Sequence, residues 1–151
     1  MHRRCMIPIR RTLADYRAYR IRPQDSNRLA VIFDPAIAQH SLTVFLEIFD
    51  PFGQTPPNWH QVAVEMFFIL RGQGQALCDG KEIQFAAGDS LCIPATGKHQ
   101  IINTTSERLY LLGFMVPNER FVELIRSGIP TPLDDLDHQV LGQLPLVLGS
   151  C

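Results

Sequence analysis

The stretch NWHQVAVEMFFILRGQG, Asn58 to Gly74, holds one histidine, His60, and one acid, Glu65, five residues further on. The acid is set in a run of valine, methionine, phenylalanine, isoleucine and leucine. An isolated carboxylate in apolar surroundings is costly unless its charge is compensated. Glu65 therefore needs a partner. Strand alternation puts Glu65, Phe67 and Ile69 on one face and Val64, Met66, Phe68 and Leu70 on the other. Both faces are apolar, so both need cover: one from a barrel interior, the other from a second sheet or a partner subunit.

Working outward, residues 29–117 read as strand after strand. LAVIFD and SLTVFLEIFD precede the quoted run, and QALC, KEIQF, SLCIP, HQIIN and RLYLLGFMV follow it. These segments are rich in β-branched and aromatic residues. Asp79-Gly80 between QALC and KEIQF is a two-residue hairpin signal. Short strands punctuated by glycine and proline predict an all-β sandwich or barrel. Residues 1–28 form an arginine-rich arm, with seven arginines by Arg22 and only Asp15 opposing them before that point. Such an arm is read as solvated or wrapped on a partner, since nothing aromatic interleaves it as a nucleic-acid platform requires. Residues 118–151 read as a helical extension. Asn118 caps a helix through NERFVELIRSG, with Phe121, Leu124 and Ile125 on one face, and LDDLDHQVLGQL supplies a second helix.

The bulk numbers fit one globular domain. The chain has 151 residues, a formal net charge of -1, 19% charged and 46% hydrophobic residues. That balance excludes a disordered chain and gives no global charge argument for nucleic acid or membrane. No apolar stretch reaches the roughly 18 residues of a membrane span. Four cysteines, Cys5, Cys78, Cys92 and Cys151, contain no C-x-x-C pair. The expectation is a reduced, cytoplasmic protein, with Cys78 and Cys92 as buried, inert thiols in strands.

His60, Glu65 and His99, which opens HQIIN, have no lysine or arginine paired with them in sequence. Two imidazoles and one carboxylate suit a divalent metal with open coordination positions, and a dication would answer the charge of Glu65. The competing reading is a hydrogen-bonded polar cluster without metal. Here the sequence resembles the cupin family. That family's first motif is glycine, H-x-H, three or four residues, glutamate, six residues, glycine. It is met by Gly53, Asn58-x-His60, Glu65 and Gly72. The second motif is matched by Gly88, Pro94, Gly97, His99 and Asn103, with Gly97 one place late relative to Pro94 and Gly53 of the first motif also slightly displaced. Asn58 stands where the family's first histidine usually sits.

The resemblance implies a cupin-type double-stranded β-helix, or jelly-roll, barrel and a homodimer. It also implies one divalent metal ion (Fe, Mn, Zn or Ni) at His60, Glu65 and His99, with Asn58 or water beside it. Phe45, Phe67, Ile101, Tyr110 and Phe114 are the candidate pocket lining. Two functions compete. One is a metal-dependent enzyme of dioxygenase or isomerase type acting on a small molecule. The other is a non-catalytic small-molecule binding or sensing protein using the same pocket. Metal-free epimerase chemistry, with His60 or His99 as base, is a third. Glu47 and Tyr110 are the only further acid–base candidates near the motifs.

Overall fold

A computed structural model describes residues 7–142 of the chain. Cys5, Cys151, His2 and the end of the second C-terminal helix beyond residue 142 lie outside the described residues. The strands are β1 (Ala18–Arg20), β2 (Asn27–Phe33), β3 (Thr43–Phe49), β4 (Val64–Arg71) and β5 (Gln73–Cys78), then β6 (Lys81–Ala86), β7 (Ser90–Ile93), β8 (His99–Asn103), β9 (Leu109–Val116) and β10 (Ile129–Pro130). They form two antiparallel sheets. The larger runs β10-β1-β2-β3-β9-β4-β7 and the smaller β6-β5-β8. This is the expected all-β jelly-roll barrel, its core filled from the inner faces of both sheets. Asp79 and Gly80 both take positive φ, 48° and 78°, and join β5 to β6 as the tight hairpin read from sequence.

Alternation decides what enters the barrel. On β4, Glu65, Phe67 and Ile69 are buried while Met66 and Phe68 face out, as expected. On β3, Phe45, Glu47 and Phe49 point in; Leu46 and Ile48 point out. Phe45 packs directly on the bare backbone of Gly113 in β9, where any Cβ would collide with its ring.

Among the described residues, the outer face of the larger sheet is covered at one end only. Helix α3 (Asp135–Gly142) lies over Leu46, Ile48, Leu70 and Leu112. An ion cluster fastens it there. Asp137, fully buried, takes both nitrogens of Arg28 at 2.7 and 3.0 Å, and accepts from Arg108 at 2.9 Å and the Tyr110 hydroxyl at 3.0 Å. Burial and the adjacent Asp137 charge push the Tyr110 hydroxyl up to about 12. Beyond α3 the same face stays open, with Met66, Phe68 and Val116 between 37% and 45% exposed. Cys92 is on this open face and Cys78 is half-buried, so neither is the sealed core thiol that their strand setting suggested. Their positions fall on the outward phase of β7 and at the end of β5.

Two expectations shift at the flanks. Part of the arginine-rich arm is structural: β1 pairs with β2 on one side and with β10 on the other. Arm and C-terminal segment thus extend the same sheet as the barrel strands. The helix expected from Asn118 is shorter, α2 covering Phe121–Arg126. Asn118 still accepts the N–H of Val122, but Glu119 and Arg120 take left-handed φ of 48° and 63° and break the turn.

Candidate metal centre

The three residues singled out in sequence reach one point by separate routes. Glu65 is the second residue of β4 in the larger sheet. His99 opens β8 in the smaller sheet. His60 lies in the loop before β4, whose chain is pinned on both sides: Thr96 N–H donates to the His60 carbonyl at 2.7 Å, and Asn58 exchanges two backbone bonds with His99. One nitrogen from each imidazole and one Glu65 oxygen all lie within 4.8 Å of one another.

The hydrogen bonds explain what the carboxylate is paired with. Glu65 is 5% exposed. His99 Nε2 stands 2.9 Å and His60 Nε2 3.3 Å from the same oxygen, Oε2. Among the described residues no lysine or arginine bridges it. His99 Nδ1 lies 2.8 Å from the Gly97 carbonyl, which only accepts, so Nδ1 carries a proton. A neutral His99 therefore presents a lone pair at Nε2 toward a carboxylate lone pair. That contact demands a cation between the two atoms, either a proton or a metal ion. Without metal the proton takes the place. Burial disfavours the charged form of His99, but the bonds to Glu65 and Gly97 outweigh it and raise its pKa. Burial likewise pushes Glu65 up, and the bonds and charges of both imidazoles bring it below the ordinary carboxylate value.

The donor set fits a divalent ion. Two imidazole nitrogens and one carboxylate oxygen converge from rigid elements, one imidazole is oriented by a carbonyl, and the far side opens on a cavity. The cavity measures about 360 Å³ and is walled by Leu29, Phe67, Ile101, Met115 and Phe121 among others. Phe121 also touches the His60 ring edge-on, with centroids 6.1 Å apart.

The match to the cupin domain family model covers residues 45–115. Residues 45–115 are a cupin domain. Among solved structures, this cupin resembles a predicted oxalate decarboxylase from Thermotoga maritima (19% identity, TM-score 0.64, 70% of this chain and 96% of that one). It also resembles the Cnp3 cupin domain of Schizosaccharomyces pombe (14%, 0.58, 87% and 78%) and a cupin 2 conserved barrel protein from Salinispora arenicola (18%, 0.58, 80% and 98%). At these identities the likeness concerns the fold alone. No curated protein matches the sequence.

The remaining candidates of this cupin divide by strand phase. Phe67 and Ile101 line the cavity. Phe45 sits behind them in the core, its ring 6.1 Å from Phe67 and 5.1 Å from Phe121. Tyr110 and Phe114 do not reach the cavity, which corrects their place in the expected lining. On β9, Leu109, Leu111, Gly113 and Met115 face in, so Tyr110 and Phe114 face out, one to Asp137 and the other to the open outer face. Asn58 lines the cavity, with its amide nitrogen donating to the Pro56 carbonyl at 3.1 Å. Asn103, the last residue of the second motif, is structural: its amide donates to the carbonyls of Asp50 and Glu107.

Glu47 gains weight from the structure. It is buried in the cavity wall, and Asn27 donates to it at 2.7 Å. Burial and the nearby Glu65 charge raise its pKa to about 8, the Asn27 bond opposing them. Sequence reasoning missed Glu119, Arg22 and Arg120 at the cavity mouth. Glu119 read as a first-turn helix acid, yet its carboxylate accepts the backbone N–H groups of Gln61, Val62 and Ala63, the three residues after His60. Those bonds, against the cost of burial, keep it below the ordinary glutamate value.

Proposed function

We propose that this cupin is a metal-dependent enzyme that holds one divalent cation through His60 Nε2, Glu65 and His99 Nε2 and acts on a small oxygen-rich molecule. The reading rests on one observation: one nitrogen from each imidazole and one Glu65 oxygen converge within 4.8 Å of one another on the wall of an open cavity. The fourth ligand position falls to Asn58 Oδ1 or to solvent. A bound ion of this kind supplies Lewis-acid polarisation of a coordinated substrate oxygen. The test is elemental analysis of protein purified without chelator and then offered Fe, Mn, Zn or Ni. About one ion per chain is expected; a folded protein that takes up none of the four would end the proposal.

The chain's own residues supply the rest. Leu29, Phe67, Ile101 and Met115 supply apolar wall to the cavity beside the ligand cluster. Glu47 faces the same space as a carboxyl whose pKa, in the metal-free protein, burial and the Glu65 charge raise to about 8, and it is placed to give or take a proton from the substrate. This group favours catalysis over simple ligand storage, and proton-transfer chemistry of the isomerase type over dioxygen chemistry.

A stability measurement checks Glu47 directly. In the metal-free protein its folded pKa, about 8, exceeds the unfolded value of 4.5. The protonated carboxyl contributes stability fully below pH 4.5, and that contribution is lost as pH rises to about 8. At about 1.4 kcal/mol per unit, the loss is several kcal/mol. Urea midpoints of wild type and Glu47→Gln between pH 5 and 9 should diverge, wild type falling more steeply; parallel curves would place Glu47 in an ordinary environment.

The homodimer belongs to the same proposal. Its interface is the open outer face around Met66, Phe68 and Val116, beside the free edge of β7, and the occupant is a second copy of the chain. Light scattering should give twice the chain mass for wild type and the single-chain mass for Phe68→Glu. A monomeric wild type at tens of micromolar contradicts it.

A further inference from the structure

Building on the metal reading, we infer that the ligand of this cavity is a small dicarboxylate, one end on the three-ligand floor and the other clamped at the mouth by Arg22 and Arg120. Both arginines are exposed side chains that line the cavity. They come from distant parts of the chain, one just after β1 and the other just before α2, and α2 packs on β1 and β2 to hold the two together.

Neither makes a close ion pair within the described residues. Among the described residues, Arg20, Arg28, Arg108 and Arg126 are each bridged to an aspartate, at 2.9, 2.7, 2.7 and 2.7 Å. Neither Arg22 nor Arg120 has such a bridge. Glu123, exposed on α2, lies near enough to Arg120 to feel its charge but accepts its hydrogen bond from the Asn118 amide, and the two acids of the rim are engaged elsewhere. Asp25 accepts the backbone N–H of Arg22 at 2.9 Å rather than a guanidinium. Glu119 gives its carboxylate to the three N–H groups that follow His60. Two free guanidiniums above an apolar throat attract an anion and match a carboxylate fork in geometry.

The backbone at Arg120 points the same way. Glu119 and Arg120 are consecutive non-glycine residues at φ 48° and 63°. Such a conformation is unfavourable for a residue with a side chain and persists where the surroundings hold it. What this strained pair achieves is specific: it turns Glu119 under the His60 loop, Arg120 over the mouth and Phe121 onto the imidazole. A regular helix from Asn118 would do none of these.

The clamp and the metal floor fail separately, so the experiment reads both. Protein loaded with Zn²⁺, its content checked by elemental analysis, is titrated calorimetrically with succinate and glutarate and with the matched monocarboxylates propionate and butyrate. Wild type should bind the dicarboxylates about tenfold or more tightly than the monocarboxylates, the scale of one charge-assisted bidentate contact. Arg22→Gln and Arg120→Gln should each bring that ratio toward one, with zinc content and monocarboxylate affinity unchanged. Arg71→Gln, an exposed charge away from the cavity, should leave the ratio as in wild type. Equal affinity for the two classes, no carboxylate binding at all, or a preference that survives both rim substitutions overturns the clamp while the zinc content stands. A protein that holds no zinc fails at the floor, and the two-point ligand fails with it.

Discussion

His99→Ala is expected to leave a folded barrel that has lost its metal affinity by at least about 100-fold, the upper range for removing even an outer partner of a ligand. Among the described residues His99 supplies one of three convergent histidine or acid donors, and its orientation is locked by the Gly97 carbonyl. Among the described residues no further histidine, cysteine or acid joins the cluster to replace it. His60→Ala should behave alike, with a smaller effect on stability, since His60 lies in a loop and is partly exposed. Glu65→Gln separates charge from shape: the amide keeps the volume of the carboxyl but cannot neutralise a dication, so affinity falls, and the apo protein loses the stability of the imidazole–carboxylate bonds. Calorimetric titration with Zn²⁺ and Mn²⁺, alongside circular dichroism, reads both quantities. Retention of wild-type affinity in His99→Ala would show that the ion binds elsewhere.

The second large effect lies on the opposite side of the sheet. Asp137→Ala should destabilise the protein by about 3–5 kcal/mol, the range for stripping the partner from a buried ion pair. Arg28 is 3% exposed and would be left as an uncompensated buried cation. Arg108 would keep Asp134, but the Tyr110 hydroxyl would lose its acceptor. The same carboxylate also accepts the N–H of Asp134 in the turn that starts α3, so helix and sheet loosen together. Chemical denaturation should show the loss with metal binding intact in the folded fraction. A change below 1 kcal/mol would mean that the cluster is solvated and α3 is held by its apolar contacts alone.

These two sides of the sheet were unequally legible in the sequence. Glu65 announced its own facing, because a single charge among apolar residues sets the phase of β4 and pairs it with an imidazole. The hairpin at Asp79-Gly80 followed from turn chemistry, and the glycines, Pro94 and His99 of the second motif placed β8. Strand β9 carried no such marker. LYLLGFMV is apolar in both phases, so nothing in it said that Met115 faces the cavity and that Tyr110 and Phe114 do not. The pairing of Tyr110 with Asp137 spans 27 positions and depends on where α3 docks. Glu47 was visible as a candidate, but its inward direction followed only once Phe45 and Phe49 were seen to share its phase. Arg22 looked like one of a solvated row; the short pairing of β1 with β2 and β10 brings it to the mouth. Left-handed conformations at Glu119 and Arg120 are tertiary in origin, imposed by backbone N–H groups nearly 60 positions away, and local propensity favoured helix there.

The structure of metal-loaded protein, with the ion located by its anomalous signal, tests the central claim most directly. The account predicts a single ion within about 2.0–2.2 Å of His60 Nε2, His99 Nε2 and a Glu65 oxygen, with the histidine–glutamate hydrogen bonds replaced by coordination. An ion bound elsewhere, or Glu65 still hydrogen-bonded to both imidazoles in protein saturated with metal, would contradict it.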